Sequence, residues 1–301
     1  MQQARAFLAG IVDYAGLFPP AALSMVDAVK SYAEFLAGPD RDLLGRFVVP
    51  LSRIDEFSAC APDFLGQHQG DPWRLSATAG ADVPIDDVRN SLLAFNRTHS
   101  PASAAGHAIC DAFEFPVTSM TRIAEAIRTL PESFSLFMEV PTDSDPEPLI
   151  SAMSGTRGAA KIRTGGTTPD SIPRVAEVVR FMRACHEHRV PFKATAGLHH
   201  ALRGGYSLTY ETDSPCAEMF GFLNVFLGAA FIHAGTDDDS VTGVLEERAR
   251  SAFVFDDDGV TWRGQRLSTD QLTTTRRSFA LSYGSCSFTE PVAEARDLGI
   301  L

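Results

Sequence analysis

Ala159-Ala160-Lys161-Ile162-Arg163-Thr164-Gly165-Gly166 and Pro191-Phe192-Lys193-Ala194-Thr195-Ala196-Gly197 are two short β-rich runs, each ending in a Thr/Gly turn. Between them, residues 169–188 carry a helical pattern. Thr168 can cap it, Pro169 suits its first position, and Ile172, Val175, Ala176, Val179, Met182 and Cys185 recur on one face. Strand, helix, strand at this spacing is one crossover unit, which requires parallel strands.

The same alternation extends outward. Strand-like runs fall at 10–17, 46–50, 74–79, 112–117, 135–140, 159–164 and 191–195, with helices at about 24–37, 53–59, 86–97, 120–129, 148–153 and 216–227. This is an α/β pattern, and seven runs are one short of a TIM-like (β/α)8 barrel, which a chain of 301 residues is long enough to build with extensions. The eighth strand is the uncertain part, because residues 229–234 read equally well as the end of the preceding helix. The barrel is therefore expected either complete or distorted. Residues 1–235 are expected to form the catalytic barrel and 236–301 a C-terminal extension packed on it. In the extension, Asp256-Asp257-Asp258-Gly259 turns a hairpin between 253–255 and 260–262, and a last helix spans 269–283. Such an extension would serve closure or contact with a second copy, giving a homo-oligomer.

Hydrophobic residues make up 45% and charged residues 21%, the balance of a chain folded throughout. A formal charge of −12 repels nucleic acid and anionic membrane surfaces, so neither is an expected partner. The N-terminal residues do not read as a secretory signal, and the longest apolar stretch, 220–232, is too short to cross a bilayer. A cytoplasmic location is expected. Five cysteines, odd in number and far apart, suggest neither a disulfide framework nor a zinc knuckle. The acidic triplet lacks calcium-loop spacing, and no nucleotide-binding fingerprint is present.

Of 26 Lys plus Arg residues, only Lys30, Lys161 and Lys193 are lysine. Arginine stays protonated, whereas a desolvated lysine beside another cation can shed its proton and act as a nucleophile. One crossover apart, Lys161 and Lys193 stand at equivalent heights on neighbouring strands. Two like charges several ångströms apart repel by roughly 2–4 kcal/mol at an effective dielectric of about 20, enough for one lysine to hold the other neutral. The alternative is structural pairing of both with carboxylates such as Glu114 and Glu139.

The stretch from Lys161-Ile162-Arg163-Thr164-Gly165 to Lys193-Ala194-Thr195-Ala196-Gly197 resembles the paired lysine strands of class I aldolases of the deoxyribose-phosphate aldolase type. The resemblance covers residues 161–197. It implies that Lys161 forms a Schiff base on strand six, that Lys193 on strand seven is its electrostatic partner, and that no cofactor is needed for carbon–carbon lyase chemistry. The family's glycine-rich phosphate site around the eighth strand has no counterpart in this sequence. For its acidic proton-transfer residue, Glu114, Glu139 and Asp13 compete.

His199 and His200 follow the second lysine strand, where barrels keep their chemistry, and Arg203 comes just after. The histidines suit acid–base work near neutral pH. As metal ligands they would need Glu139, His233 or Asp237 as well, yet adjacent residues on an extended segment point apart. Arg163 shares a face with Lys161, and the turn from Thr164 through Gly165 and Gly166 to Thr168 offers amides at a helix N-terminus; together they form a candidate anion site, or else only a tight turn. The positive groups at one mouth favour an anionic or carbonyl-rich substrate. The expected catalytic residues are thus Lys161, Lys193, Glu139, His199 and Asp13. Arg163, Thr164, Gly165, Gly166, Thr195, His200 and Arg203 are expected to bind substrate, with no metal. Two other readings compete: a metal-assisted hydrolase or lyase using His199, His200 and a carboxylate, and a non-catalytic barrel that binds a small anion.

Overall fold

The structure, a computed structural model, describes residues 2–65, 71–101 and 103–301. Seven parallel strands appear where the sequence places them: β1 (Val12–Tyr14), β2 (Leu44–Pro50), β3 (Trp73–Thr78), β4 (Ala108–Pro116), β5 (Ser135–Glu139), β6 (Gly158–Arg163) and β7 (Phe192–Thr195). Two small sheets follow. A hairpin pairs β8 (Gly204–Ser207) with β9 (Cys216–Met219), and β10 (Phe253–Asp256), β11 (Gly259–Trp262) and β12 (Gln265–Ser268) form an antiparallel trio. The eighth barrel strand is β13 (Ala280–Ser285), which lies between β1 and β7 and closes the ring in the order β1-β13-β7-β6-β5-β4-β3-β2. The expected (β/α)8 barrel is therefore present, closed and complete.

The position of that last strand corrects the expected division at residue 235. Residues 280–285 are part of the barrel wall, paired with Val12–Tyr14 on one side and with β7 on the other. The segment read as one helix, 269–283, is a helix at Thr269–Ser278 followed by this strand. Ser268 and Gln271 cap the helix reciprocally. The strand escapes pattern reading because its faces carry Ser282, Gly284 and Ser285, small residues where an apolar alternation would announce β-structure. Arg276, buried, ties the seam. Its Nε donates to Phe7 O at 2.8 Å and Nη2 to Ala9 O at 3.1 Å, and Nη1 donates to the carbonyls of Ala280 and Leu281. Burial pulls this guanidinium down to about 10, so its four carbonyl partners are what keep its desolvation tolerable.

Two helices also differ from expectation. Residues 216–219 are a strand, and the all-apolar helix runs Phe222–His233, buried on every side except its last residue, so 229–234 is its end. The crossover helix begins at Val175, after a single 3₁₀ turn at Pro169–Ser171. Pro173 disfavours helical geometry at Ile172, which sits at φ −91°, ψ 118°, and Thr168 makes no side-chain cap.

Inside the barrel, Ala112, Phe137 and Ala159 form an apolar layer, with Leu281 packed against it. Side chains two residues further along each strand point the same way, so the next layer is built by Glu114, Glu139 and Lys161. That layer carries the chemistry.

Candidate active site

Strand register sets Glu139 beside Lys161 and Lys161 beside Lys193. Lys193 Nζ, with no solvent exposure, lies 2.6 Å from Asp13 Oδ2 and 2.6 Å from Glu114 Oε1, and 5.1 Å above the centre of the Phe137 ring. Lys161 Nζ lies 3.0 Å from Glu114 Oε2 and 3.0 Å from Glu139 Oε2, and Glu139 Oε1 accepts from Arg163 Nε at 3.4 Å. Ser76 Oγ donates to Glu114 Oε1 at 2.6 Å; Ser282 Oγ (2.8 Å) and the Arg46 amide (2.6 Å) complete Asp13. The result is one ladder, Asp13–Lys193–Glu114–Lys161–Glu139–Arg163, in which anion and cation alternate. Buried ions are tolerated only when paired and hydrogen-bonded in this way.

Alternation decides the protonation states. Burial opposes ionisation of Glu114, but Lys193 and Lys161 outweigh it and hold the carboxyl far below its usual range. Burial likewise opposes the charge on Glu139, and Lys161 with Arg163 brings it below the usual range. Burial works against the Lys161 ammonium, yet Glu114 and Glu139 leave its pKa raised. The expectation that Lys193 keeps Lys161 neutral is thereby corrected: Glu114 lies between the two amines and bridges both, so the resting Lys161 is an ammonium.

A cavity of about 450 Å³ opens above the ladder at the carboxyl ends of the strands. Lys161, Glu114, Glu139 and Arg163 line its floor and one wall, Thr195 and Gly166 its rim, and Phe18, Pro19, Val48 and Phe115 an apolar face. Lys193 and Asp13 lie beneath and do not reach it. One amine faces the cavity and the other is sealed below.

His199 also faces the cavity, with Nδ1 3.2 Å from Ser285 Oγ. Burial lowers its pKa, leaving a neutral imidazole at pH 7. Cys286 Sγ is 3.8 Å from Nδ1 and 4.0 Å from Nε2, and Glu290 Oε2 is 3.8 Å from Nδ1. At that distance the carboxylate is beyond hydrogen-bond reach and does not orient the ring as a nucleophilic relay requires. Burial moreover pushes the Cys286 thiol up, so no thiolate is prepared here.

Other expected site residues are placed elsewhere. His200 Nδ1 pairs with Glu294 Oε1 at 2.5 Å, and its ring stacks on Tyr206 at 3.5 Å, outside the cavity. His199 and His200 thus serve different surroundings and do not converge on one ion. Among the described residues, no group of three or more His, Cys, Asp or Glu is arranged to hold a metal. Arg203 lies over the Phe220 ring at 4.8 Å and near Glu218, and does not line the cavity. Thr164 is buried, its hydroxyl donating to Thr195 O at 3.2 Å and Ala196 O at 2.6 Å. Gly165 is a packing residue: a Cβ there would come 2.9 Å from Gly197 Cα, and Gly197 itself has φ +75°. Because the α-helix starts at Val175, the turn after β6 does not supply a helix N-terminus for an anion. Nor is the mouth a positive funnel, since Glu114 and Glu139 match Lys161 and Arg163 one for one along its lining.

Glu114 is the residue whose importance the sequence understates. Its signal is a charge in the middle of Phe113-Glu114-Phe115, an apolar strand, but nothing in that run says that both its oxygens will be used by lysines. Ser76, Ser282 and Ser285 give no signal at all.

No protein-family model matches the sequence, and neither does any curated protein. Among solved structures, the catalytic domain of a hyperthermophilic chitinase from Pyrococcus furiosus is similar at 10% identity, covering 64% of this chain and 74% of that one, with a TM-score of 0.36. The Bacillus cereus spore cortex-lytic enzyme SleL is similar at 12% identity, covering 97% of this chain and 74% of that one, with a TM-score of 0.40. Likeness at this level carries no activity across, and the barrel's own residues are what bear on function.

Proposed function

We propose that this chain is a class I, Schiff-base-forming lyase of the aldolase type that acts on a small carbonyl metabolite in the cytoplasm, with Lys161 as the nucleophile. The observation that carries the reading is the division between the two lysines: Lys161 Nζ reaches the cavity between two carboxylates, while Lys193 is sealed beneath Glu114. Such an arrangement gives one reacting amine, two proton acceptors in contact with it, and a fixed cation below.

In the cleavage direction, the Lys161 ammonium passes a proton to Glu139, and the freed amine adds to the substrate carbonyl carbon. The oxygen of the resulting carbinolamine takes up two protons, one from the attacking nitrogen and one returned by Glu139, and leaves as water, giving an iminium. His199, neutral at rest, accepts the proton of the substrate β-hydroxyl. The carbon–carbon bond then breaks, and its electron pair moves into the iminium to form an enamine. Reprotonation and hydrolysis of the enamine return Lys161, with no net oxidation. The Lys193 ammonium holds Glu114 ionised throughout, so that the floor of the site keeps a negative charge against the iminium.

Borohydride reduction in the presence of pyruvate or acetaldehyde tests the proposal. The expected result is a stable secondary-amine adduct mapped to the peptide bearing Lys161 and absent from Lys161→Ala. Undiminished labelling of Lys161→Ala on another residue would end the assignment.

A further inference from the structure

We propose that the substrate class is the 2-oxo acids, or the 4-hydroxy-2-oxo acids in the cleavage direction, with the substrate carboxylate held by Arg163 while the keto carbon meets Lys161. This inference rests on the Schiff-base reading above and adds to it the chemistry of the group next to the carbonyl.

Arg163 lies two residues beyond Lys161 on β6, so it shares the inward face one step nearer the mouth. Its side chain is 51% exposed and lines the cavity, whereas Lys161 and Glu114 are deep in it. Glu139 spans the two cations, with Oε2 3.0 Å from Lys161 Nζ and Oε1 3.4 Å from Arg163 Nε. A single carbon separates those two oxygens. In a 2-oxo acid a single carbon likewise separates a carboxylate oxygen from the keto carbon. An acid of this class can therefore put its oxygen on the guanidinium and its electrophilic carbon at the amine, over the same span that Glu139 bridges at rest.

The Glu139–Arg163 contact is the weak link of the ladder. At 3.4 Å it is well beyond the ~2.7–2.9 Å of a strong charge-assisted bond, so exchanging it for a bidentate substrate carboxylate costs little. The exchange also prepares the amine. Lys161 and Arg163 together hold Glu139 ionised, and when a substrate carboxylate takes Arg163, Glu139 becomes the better acceptor for the Lys161 proton. A neutral aldehyde leaves that pairing in place and Lys161 protonated. The remaining wall suits a short uncharged tail: Phe18, Pro19, Val48 and Phe115 are apolar, and among the described residues the lining offers no second guanidinium for a distal phosphate.

The experiment uses the full chain with borohydride and four probes, pyruvate, 2-oxobutyrate, acetaldehyde and acetone. Initial labelling rates at Lys161 are read by peptide mass mapping for wild type, Arg163→Gln and Arg163→Lys, after thermal melting has shown that each variant is folded. Arg163→Gln is expected to cut labelling by the two oxo acids at least tenfold and to lower the ratio of pyruvate to acetaldehyde labelling by a similar factor. Arg163→Lys, which keeps the charge but loses the fork, should fall in between. An Arg163→Gln variant that slows all four probes by one common factor would overturn the carboxylate assignment while leaving the Schiff base intact, as would labelling by acetaldehyde and acetone but not by the oxo acids. If none of the four probes labels Lys161 in wild type, the Schiff-base reading falls and this inference with it.

Discussion

Lys193 and Lys161 are joined through one carboxylate, with Glu114 Oε1 2.6 Å from the first amine and Oε2 3.0 Å from the second. Removing that charge leaves two cations in a low-dielectric interior with too few anions. Glu114→Gln is expected to cost about 3–5 kcal/mol, read from the midpoint of urea unfolding. It should also move the pH dependence of Lys161 labelling toward acid, because one of the two anions that raise the Lys161 pKa is gone.

Lys193→Met should be destabilising by a similar ~3–5 kcal/mol, because Asp13 and Glu114 each lose a fully buried cation. The double variant Lys193→Met with Asp13→Asn removes one orphaned charge and should be more stable than Lys193→Met alone. Strict additivity of the two single changes, measured in a double-mutant cycle, would contradict the ion pairing.

Stability should form a plateau bounded on both sides. Glu114 and Glu139 have depressed carboxyl pKa values in the folded chain, so the stability they confer is full above the unfolded value of about 4.3 and is lost as pH falls through the folded values. Lys161 has a raised pKa, so its contribution is full below the unfolded value of about 10.4 and is lost as pH rises through the folded one. Melting temperature across pH 3–11 is the measurement. A maximum confined to a narrow band near neutrality would argue against this account.

The loops after β6 and β7 touch backbone to backbone at Gly165 and Gly197. Gly197→Ala forces a side chain onto φ +75° and against Gly165, and is expected to cost roughly 1–3 kcal/mol and to slow Lys161 labelling by displacing the rim. Alanine at Gly155, also at positive φ but with open space around it, should pay only the backbone part, and labelling should be unchanged.

The adjacent histidines should separate cleanly. His199→Gln is expected to leave borohydride trapping near wild type while slowing turnover by roughly 10²–10⁴-fold, the usual size of a lost acid–base group. His200→Ala should leave turnover intact and lower the melting temperature, because its contacts are Glu294 and Tyr206 outside the cavity.

What the sequence made legible follows from where side chains carry a periodic signal. Seven strands are visible because Val, Ile, Phe and Leu alternate or cluster in them, and both lysines are visible because the chain otherwise uses arginine. The eighth strand is hidden by the demands of the site: beside Lys193 and Asp13 it must present Ser282 and Gly284 rather than large apolar residues. Pairing is the other illegible part. Sequence spacing brings two lysines to one height, but only three-dimensional register places Glu114 between them and turns expected repulsion into alternation. The crossover helix starts later than its apolar pattern implies for a local reason, since Pro173 outweighs the favourable Thr168-Pro169 pair.

Because β13 is laid between the first strand and the seventh, the barrel cannot shut during synthesis until residues 280–285 have left the ribosome. Until then the first strand has an open edge, and Asp13 and Lys193 have no wall joining them. Two strands distant in sequence are thus sewn into one seam, and a fragment ending at residue 235 would carry every catalytic side chain proposed above without the fold that brings them together.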